Sequence, residues 1–221
     1  MVVGREINLL ANYPYIKRDT ETRGKQKTEV DRKIAREFGQ AFFDGSRDHG
    51  YGGFNYHPKY WQPVIPDFQR QYELTSESSV LDIGCAKGFM LHDMTTLIPG
   101  ITVKGIDISS YAIENVLETV RPHCQIGCAT QLPFPDDSFD VVISITTLHN
   151  FERDDLAKAL LEIERVKRKG SFITVDAYHN DEECQRMEAW NLTAKTVMHV
   201  DEWKQFFNEV AYTGDFYWFI P

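Results

Sequence analysis

The sequence lacks the features of a secreted, membrane or nucleic-acid-binding protein. It has four cysteines in 221 residues, without a zinc-like pairing. It has no apolar run of about 18 residues and no apolar signal-peptide core. Acidic residues outnumber basic ones by 33 to 24, so the net charge of −9 disfavours a phosphate-rich partner. We therefore expect a cytoplasmic protein with reduced thiols and a small-molecule substrate, and no nucleic-acid, membrane or metal site.

The composition predicts one folded unit. At 42% hydrophobic residues the chain can bury a core, and it has no internal repeat or low-complexity segment. We expect an N-terminal helical region over 1–75 and an α/β domain over 76–221. The aromatic C-terminal segment 215–220 is strand-like. It predicts packing on the sheet edge or on a second subunit, so a homodimer stays open.

One short segment, 80–90, carries most of the functional signal. An apolar strand ends in Asp82, a turn runs from Gly84 to Gly88, and a helix follows. Glycine has no Cβ, so the backbone of such a turn can approach a ligand closely. An acid before the turn suits a cationic amine or a hydroxyl better than a pyrophosphate. The pattern predicts a nucleoside ligand with a positively charged amino-acid end.

A second predicted strand, 101–107, ends in another acid, Asp107. It lies about 20 residues beyond the turn, a separation at which a βαβ unit places a carboxylate on ribose hydroxyls. The Gly-x-x-x-Gly form lacks the spacing of the dinucleotide fingerprint, which disfavours NAD. A structural βαβ unit without a ligand is the other alternative.

These two segments resemble the first two motifs of the class I S-adenosylmethionine-dependent methyltransferases. The stretch 127–144 extends the match and resembles the small-molecule branch that includes the ubiquinone-biosynthesis methyltransferases. The resemblance covers roughly 80–176. It implies an α/β fold with a doubly wound, Rossmann-like, mostly parallel sheet, an N-terminal helical lid, and S-adenosyl-L-methionine as cofactor. It is silent on the methyl acceptor.

The resemblance also implies a set of cofactor-binding residues. They are Tyr51, Asp82, Gly84, Cys85, Ala86, Gly88, Asp107, Ile108, Cys128, Ala129, Thr130 and Ile145. Two positions depart from the family pattern. Ala86 stands where a glycine is usual, and Cys128 replaces the acid that commonly binds the adenine amine. Because a thiol is a weak hydrogen-bond partner, adenine would depend on backbone groups near Cys128 and Ala129.

The loop 50–61 is the predicted lid over the cofactor. It combines glycines with five aromatic rings, among them Tyr51, and a ring face attracts a sulfonium by about 0.5–2 kcal/mol. The alternative is that these rings pin an N-terminal helix onto the sheet. Apolar spacing predicts that helix over 28–43, and a second one over 59–72, broken near Pro63 and Pro66.

Three polar residues follow the fourth and fifth predicted strands. His149 comes after the fourth, and Asp176 and His179 come after the fifth. Since the carboxyl ends of parallel strands share one edge, these residues are candidates for a general base or for acceptor binding. For His149, packing or a structural hydrogen bond to the next helix is the competing interpretation.

The sequence thus predicts methyl transfer to oxygen or nitrogen of a small polar metabolite, such as a sugar or a natural-product intermediate. Two alternatives stay open. One is methylation of a protein or peptide. The other is a non-catalytic, cofactor-binding partner subunit, which the departures at Ala86 and Cys128 allow.

Overall fold

The computed structural model describes residues 4–14, 27–52 and 54–221. Within them the chain alternates strands with helices. The strands are β1 Ser79–Ile83, β2 Thr102–Asp107, β3 Cys124–Ile126, β4 Phe139–Ile145, β5 Lys167–Tyr178, β6 Met198–His199 and β7 Asp215–Phe219. The helices are α1 Glu29–Ala35, α2 Gln40–Asp44, α3 Ile65–Tyr72, α4 Phe89–Leu97, α5 Ser110–Glu114, α6 Arg153–Val166, α7 Asp181–Trp190 and α8 Val200–Glu209, with 3₁₀ turns at Arg121–His123 and Leu148–Asn150.

The strands form one sheet in the order β3-β2-β1-β4-β5-β6, and β7 also pairs with β5. Each pairing between the described strands is parallel. The chain runs outward from β1 to β3 and then returns to β4, so the strand order reverses between β1 and β4. Ligands of open α/β sheets bind at the carboxyl ends of the strands beside such a reversal. The predicted fold class is confirmed.

Helices cover both faces of the sheet. Leu81 and Val142 pack in one core with α6 and α8, whereas their neighbours Val80 and Val141 pack in a second core with α3 and α4. Successive residues of a strand point to opposite faces, so the two cores lie on opposite sides. Because both faces of the sheet are buried, most residues of β1 and β4 are apolar and do not alternate with polar ones.

The N-terminal region differs from the sequence prediction. The single helix expected over 28–43 is two helices, because Phe38 adopts a left-handed φ of +49° and Gly39 then caps α2. Helix α3 begins at Ile65 rather than near 59. The expected break at Pro66 does not occur, since a proline in the first turn removes no helical hydrogen bond.

The C-terminal strand lies on the sheet edge, as one of the two sequence alternatives predicted. β7 pairs with Phe172–Asp176 of β5. Its outer side binds the N-terminal segment, where the Ile7 N–H donates to the Phe216 carbonyl and the Phe216 N–H donates to the Arg5 carbonyl, both at 3.0 Å. No helix among the described residues is long and apolar enough to span a bilayer.

Candidate functional site

A cavity of about 1250 Å³ opens at the carboxyl ends of the strands. Single-ligand sites usually occupy about 300–1,000 Å³, so this space can hold a cofactor and a second molecule. One part is lined by the turn after β1 and the ends of β2 and β3. Another is lined by the ends of β4 and β5, by α7 and by the segment of described residues 27–52 and 54–61, which we call the lid segment.

The turn after β1 depends on left-handed backbone. Gly84 has a φ of +80°, and a Cβ there would lie 2.1 Å from Oγ1 of Thr147, so only glycine fits. Ala86 adopts a φ of +48° without being glycine. Gly84, Cys85 and Ala86 line the cavity, whereas Gly88 caps α4 and does not.

Asp107 is held in place by two backbone donors. Its carboxylate accepts hydrogen bonds from the N–H of Ala86 and from that of Ser109, each at 2.8 Å. Burial raises the pKa of Asp107, and these two hydrogen bonds oppose that shift. Each carboxylate oxygen can accept more than one hydrogen bond, so Asp107 keeps acceptor capacity towards the cavity that it lines.

Asp82 is a buried carboxylate without a hydrogen-bond donor among the described residues. It is 4% exposed and lines the same cavity. Burial raises its pKa well above the usual range, and Cys124 and Asp107 nearby add to the shift. A bound cation would reverse that shift, because a buried acid ionises readily only beside a positive partner. The site therefore fits an ammonium group at Asp82.

The ends of β2 and β3 supply an apolar surface. Ile108 is 57% exposed although it borders the cavity, and Ala129 and Cys128 line it as well. The Cys128 thiol lies 3.1 Å from the Thr130 hydroxyl, so these two side chains hydrogen-bond each other. Thr130 does not reach the cavity. The surface suits a flat, weakly polar ring with backbone partners, as the sequence predicted for Cys128 and Ala129.

Lys87 ties the turn to the lid. Its side chain is 10% exposed, and its ammonium binds the Asp44 carboxylate and the Phe54 carbonyl, the latter at 2.9 Å. Asp44 also accepts a hydrogen bond from the Tyr111 hydroxyl at 2.7 Å. This link was not predicted from the sequence. In the sequence, this link is indicated only by a lysine within the glycine turn.

The lid reaches the end of α7 through Tyr51. The Tyr51 hydroxyl accepts a hydrogen bond from the Leu192 N–H at 2.7 Å, and its ring stacks on Trp190 at 5.8 Å. Burial raises the pKa of Tyr51 to about 12, and the charge of Asp176 contributes. Tyr51 lines the cavity. Tyr56, from the same aromatic loop, instead donates to Asp93 on α4 and serves packing.

The structure brings His149 and Asp176 together. The backbone N–H of Asp176 donates to Nδ1 of His149 at 3.0 Å, and both residues line the cavity, which Ile145 also borders. Burial lowers the pKa of His149 to about 3. The Trp203 indole donates to the Asp176 carbonyl at 3.0 Å and fixes this end of β5. His179 lies outside the cavity, with a side chain 52% exposed and paired with Glu183.

The part of the cavity wall near His149 was also not predicted from the sequence. Arg186 and Trp190 of α7, and Thr193 and Lys195 of the loop after it, line the cavity. The Lys195 N–H donates to the His149 carbonyl at 2.9 Å. No local pattern places this loop over β4, because the contact depends on how α7 packs. Among the described residues, no group of three or more His, Cys, Asp or Glu could hold a metal ion.

Known proteins resemble the central part of this chain. Residues 81–175 match the family described as "Methyltransferase domain". The chain is similar to the uncharacterized methyltransferase YcgJ of Bacillus subtilis (strain 168), at 33% identity over 67% of this chain and 63% of that protein. It is also similar to the mitochondrial arginine-hydroxylase NDUFAF5 of Rattus norvegicus, at 34% identity over 49% of this chain and 30% of that one.

The crystal structure of YcgJ has a TM-score of 0.54 to this chain, with 24% identity over 66% of both chains. This likeness concerns the fold. The chain spans 63% and 30% of the lengths of the two relatives above, which is less than two thirds of either.

Proposed function

We propose that this chain, which belongs to the class I S-adenosylmethionine-dependent methyltransferases, transfers a methyl group to oxygen or nitrogen of a small polar metabolite. The observation that carries the proposal is the arrangement of two carboxylates around one glycine turn. Asp82 is buried without a donor, and Asp107 is held by two backbone N–H groups. An ammonium and a ribose are the groups that these two acids would bind.

S-Adenosylmethionine supplies a methyl group activated by its sulfonium. Asp82 would hold the ammonium of its amino-acid end, and Asp107 the ribose hydroxyls. Ile108, Cys128 and Ala129 would contact the adenine through apolar surface and backbone groups. Lys87 fastens the lid, which covers the cavity and limits the access of water.

The protein's own chemical task in such a reaction is alignment. Displacement at carbon needs the acceptor lone pair in line with the methyl group, and little covalent chemistry from side chains. Asp176 is our proposed proton acceptor, because its carboxylate lies at the end of β5 in the acceptor part of the cavity. His179 is not part of this proposal, since its side chain lies outside that space.

Two other functions compete with this one. The fold alone does not fix the chemistry, and a relative named arginine-hydroxylase matches part of this chain. A non-catalytic partner subunit would keep the cofactor site and lack acceptor turnover. A protein or peptide methyltransferase would turn over, but only with a macromolecular acceptor. The acidic chain, at −9, and the concave shape of the site favour a small molecule.

Calorimetric titration with S-adenosylmethionine, and separately with NAD, tests the cofactor. We expect saturable binding of the first alone, and a lower affinity in Asp82→Asn because the neutral amide loses the ion pair. Asp154→Asn, at an exposed position of α6, is the matched control. Binding of NAD alone, or an affinity unchanged in Asp82→Asn, would contradict the assignment.

A labelled-methyl screen tests transfer. The protein is incubated with methyl-labelled cofactor and a panel of small hydroxyl and amine compounds, and in parallel with peptide mixtures. Label in the small compounds supports the proposal. Label in peptides alone favours a protein or peptide methyltransferase. Tight cofactor binding with no transfer to any acceptor favours the partner subunit.

A further inference from the structure

His149 has two ring nitrogens in different surroundings. Nδ1 accepts the hydrogen bond from the Asp176 backbone N–H at 3.0 Å. A backbone amide always donates, so the Nδ1 lone pair is occupied. The neutral ring must then carry its proton on Nε2, because an imidazole has one donor and one acceptor nitrogen. The backbone of β5 thus fixes His149 as a donor at Nε2.

This Nε2–H opens onto the cavity. No described residue forms a hydrogen bond with it. It is nevertheless not among the fully buried side-chain polar atoms without a partner, which in the described residues belong to Asp93, Asn150 and Trp218, so it is accessible from the cavity. The whole residue is 3% exposed and lines the cavity. When a ligand displaces water from the cavity, this donor loses a hydrogen bond and costs free energy unless the ligand supplies an acceptor. The ligand space next to His149 therefore favours an acceptor atom.

The competing arrangement is an Asp–His pair in which Nδ1–H faces the carboxylate and Nε2 acts as a base. Asp176 Oδ1 lies 3.3 Å from Nδ1, which resembles such a pair. The amide N–H of the same residue is closer and cannot give up its hydrogen, so it decides the tautomer. Burial lowers the pKa of His149 to about 3, which also keeps a second proton off the ring near neutral pH.

We infer that His149 donates its Nε2–H to the atom that receives the methyl group, and that this atom is a phenol or enol oxygen rather than an amine nitrogen. The inference rests on the proposed methyl transfer. An amine nitrogen has a single lone pair, which a hydrogen bond from His149 would occupy. An oxygen has two, so one can accept the hydrogen bond while the other attacks.

The surroundings suit a ring-bearing acceptor that gains negative charge. Two cations, Arg186 from α7 and Lys195 from the following loop, line this end of the cavity, and Lys195 forms no ion pair among the described residues. Other titratable groups that line the cavity include Asp176 from β5, Tyr217 from β7, and Tyr51, Arg36 and Glu37 from the lid. Aromatic side chains form much of the remaining wall, namely Tyr51, Phe151, Trp190 and Trp218. Flat rings pack well against such walls.

The step balances as an in-line displacement. The hydroxyl proton of the acceptor moves to the Asp176 carboxylate. The acceptor oxygen forms a bond to the methyl carbon while the carbon–sulfur bond breaks, and its electron pair stays on sulfur. His149 keeps its proton throughout and stabilises the negative charge that develops on the oxygen, as a preorganised donor does.

Nitrogen NMR of ¹⁵N-labelled protein tests the tautomer without any need for activity. We expect the His149 ring to show Nε2–H and a bare Nδ1 from pH 7 down to pH 5. His149→Gln assigns the signals, and His179→Gln, outside the cavity, is the matched control. A neutral ring with Nδ1–H, or protonation of His149 near pH 6.5, would overturn the inference. Neither result would alter cofactor binding, so the proposed function is judged separately.

4-Nitrophenol serves as the acceptor probe, because its absorbance reports ionisation, with 4-nitroaniline as its amine counterpart. In the presence of S-adenosylhomocysteine, we expect the phenol to bind with a lowered pKa. His149→Phe should lose about ten- to a hundredfold in affinity, the range for a hydrogen bond to a charged group. His149→Gln, which keeps an N–H donor, should lose less. No saturable response to the phenol, or equal binding of the aniline, overturns the oxygen assignment.

Discussion

Asp107 accepts a hydrogen bond from the backbone N–H of Ala86 at 2.8 Å, so the acid at the end of β2 holds the turn after β1. Its second oxygen accepts from the Ser109 N–H at the same distance. The residue proposed to bind ribose therefore also shapes the turn that contacts the rest of the cofactor. A substitution of Asp107 should therefore affect both the contact with the ribose and the conformation of the turn after β1.

Asp107→Ala should weaken S-adenosylmethionine binding by about 1–3 kcal/mol, because the ribose loses its acceptor and two backbone donors lose theirs. Asp107→Asn should cost less, since its amide oxygen still accepts one hydrogen bond. Calorimetry measures both, with exposed Asp154→Ala as the control. Unchanged affinity in a folded Asp107→Ala would remove the ribose assignment.

Ala86→Gly should leave the protein as stable or more stable, by up to about 1 kcal/mol. Ala86 has a φ of +48°, a left-handed conformation that costs a residue with a Cβ about 1–2 kcal/mol. Glycine removes this cost, but it also makes the unfolded chain more flexible, which lowers the free energy of unfolding by about 0.5–1 kcal/mol. Urea unfolding measures the difference. A clear loss of stability would show that this turn carries no strain at Ala86.

Local signals were enough to predict the sheet, and also the glycine turn and the two acids that line the cavity. The apolar runs of β1 and β4, the glycine turn at Gly84, and the acids that end two strands each lie within a few residues of one another. Helix α7, Asp181–Trp190, is likewise specified locally, because its Asn180 cap and its buried residues Met187 and Trp190 lie within one short segment. Such features need no knowledge of distant contacts.

The acceptor half depended on contacts between distant parts of the chain. The role of His149 is set by a backbone N–H that lies 27 residues away on β5. Tyr51 is held by the Leu192 N–H, which lies 141 residues away. A histidine after a strand can be identified from sequence, but its tautomer follows from the strand packed beside it.

Lys87→Met should loosen the lid without unfolding the sheet. The variant keeps the length of the side chain but removes the donor to Asp44 and to the Phe54 carbonyl, hydrogen bonds of a kind worth about 1.5–3 kcal/mol when charged. Amide hydrogen exchange over 44–52 should therefore accelerate by about ten- to a hundredfold. Lys33→Met, on an exposed face of α1, should leave exchange unchanged. Equal protection in both variants would contradict a fastening role for Lys87.

Asp140 lies at the end of the sheet opposite the cavity. It should make the free energy of unfolding depend on pH. It accepts hydrogen bonds from the Ser79 N–H at 2.8 Å and pairs with Arg168 at 3.1 Å and Lys169 at 3.3 Å, so it joins β1, β4 and β5. Burial alone would raise the pKa of Asp140, but these hydrogen bonds outweigh it and lower the pKa to about 2. The folded state thus binds this proton less readily than the unfolded chain does.

Because the folded pKa is the lower one, the stabilisation is complete above the unfolded value of 3.8 and is lost as the pH falls towards 2. Asp140→Asn should be less stable than the wild type by a constant amount from pH 7 to about pH 5. Below about pH 4 the difference in the free energy of unfolding between the wild type and the variant should become smaller. Urea midpoints at a series of pH values measure it, with exposed Asp154→Asn as the control that should show no such narrowing. If this difference in the free energy of unfolding stayed constant down to pH 3, the Asp140 side chain would stabilise the fold through its packing rather than through its charge.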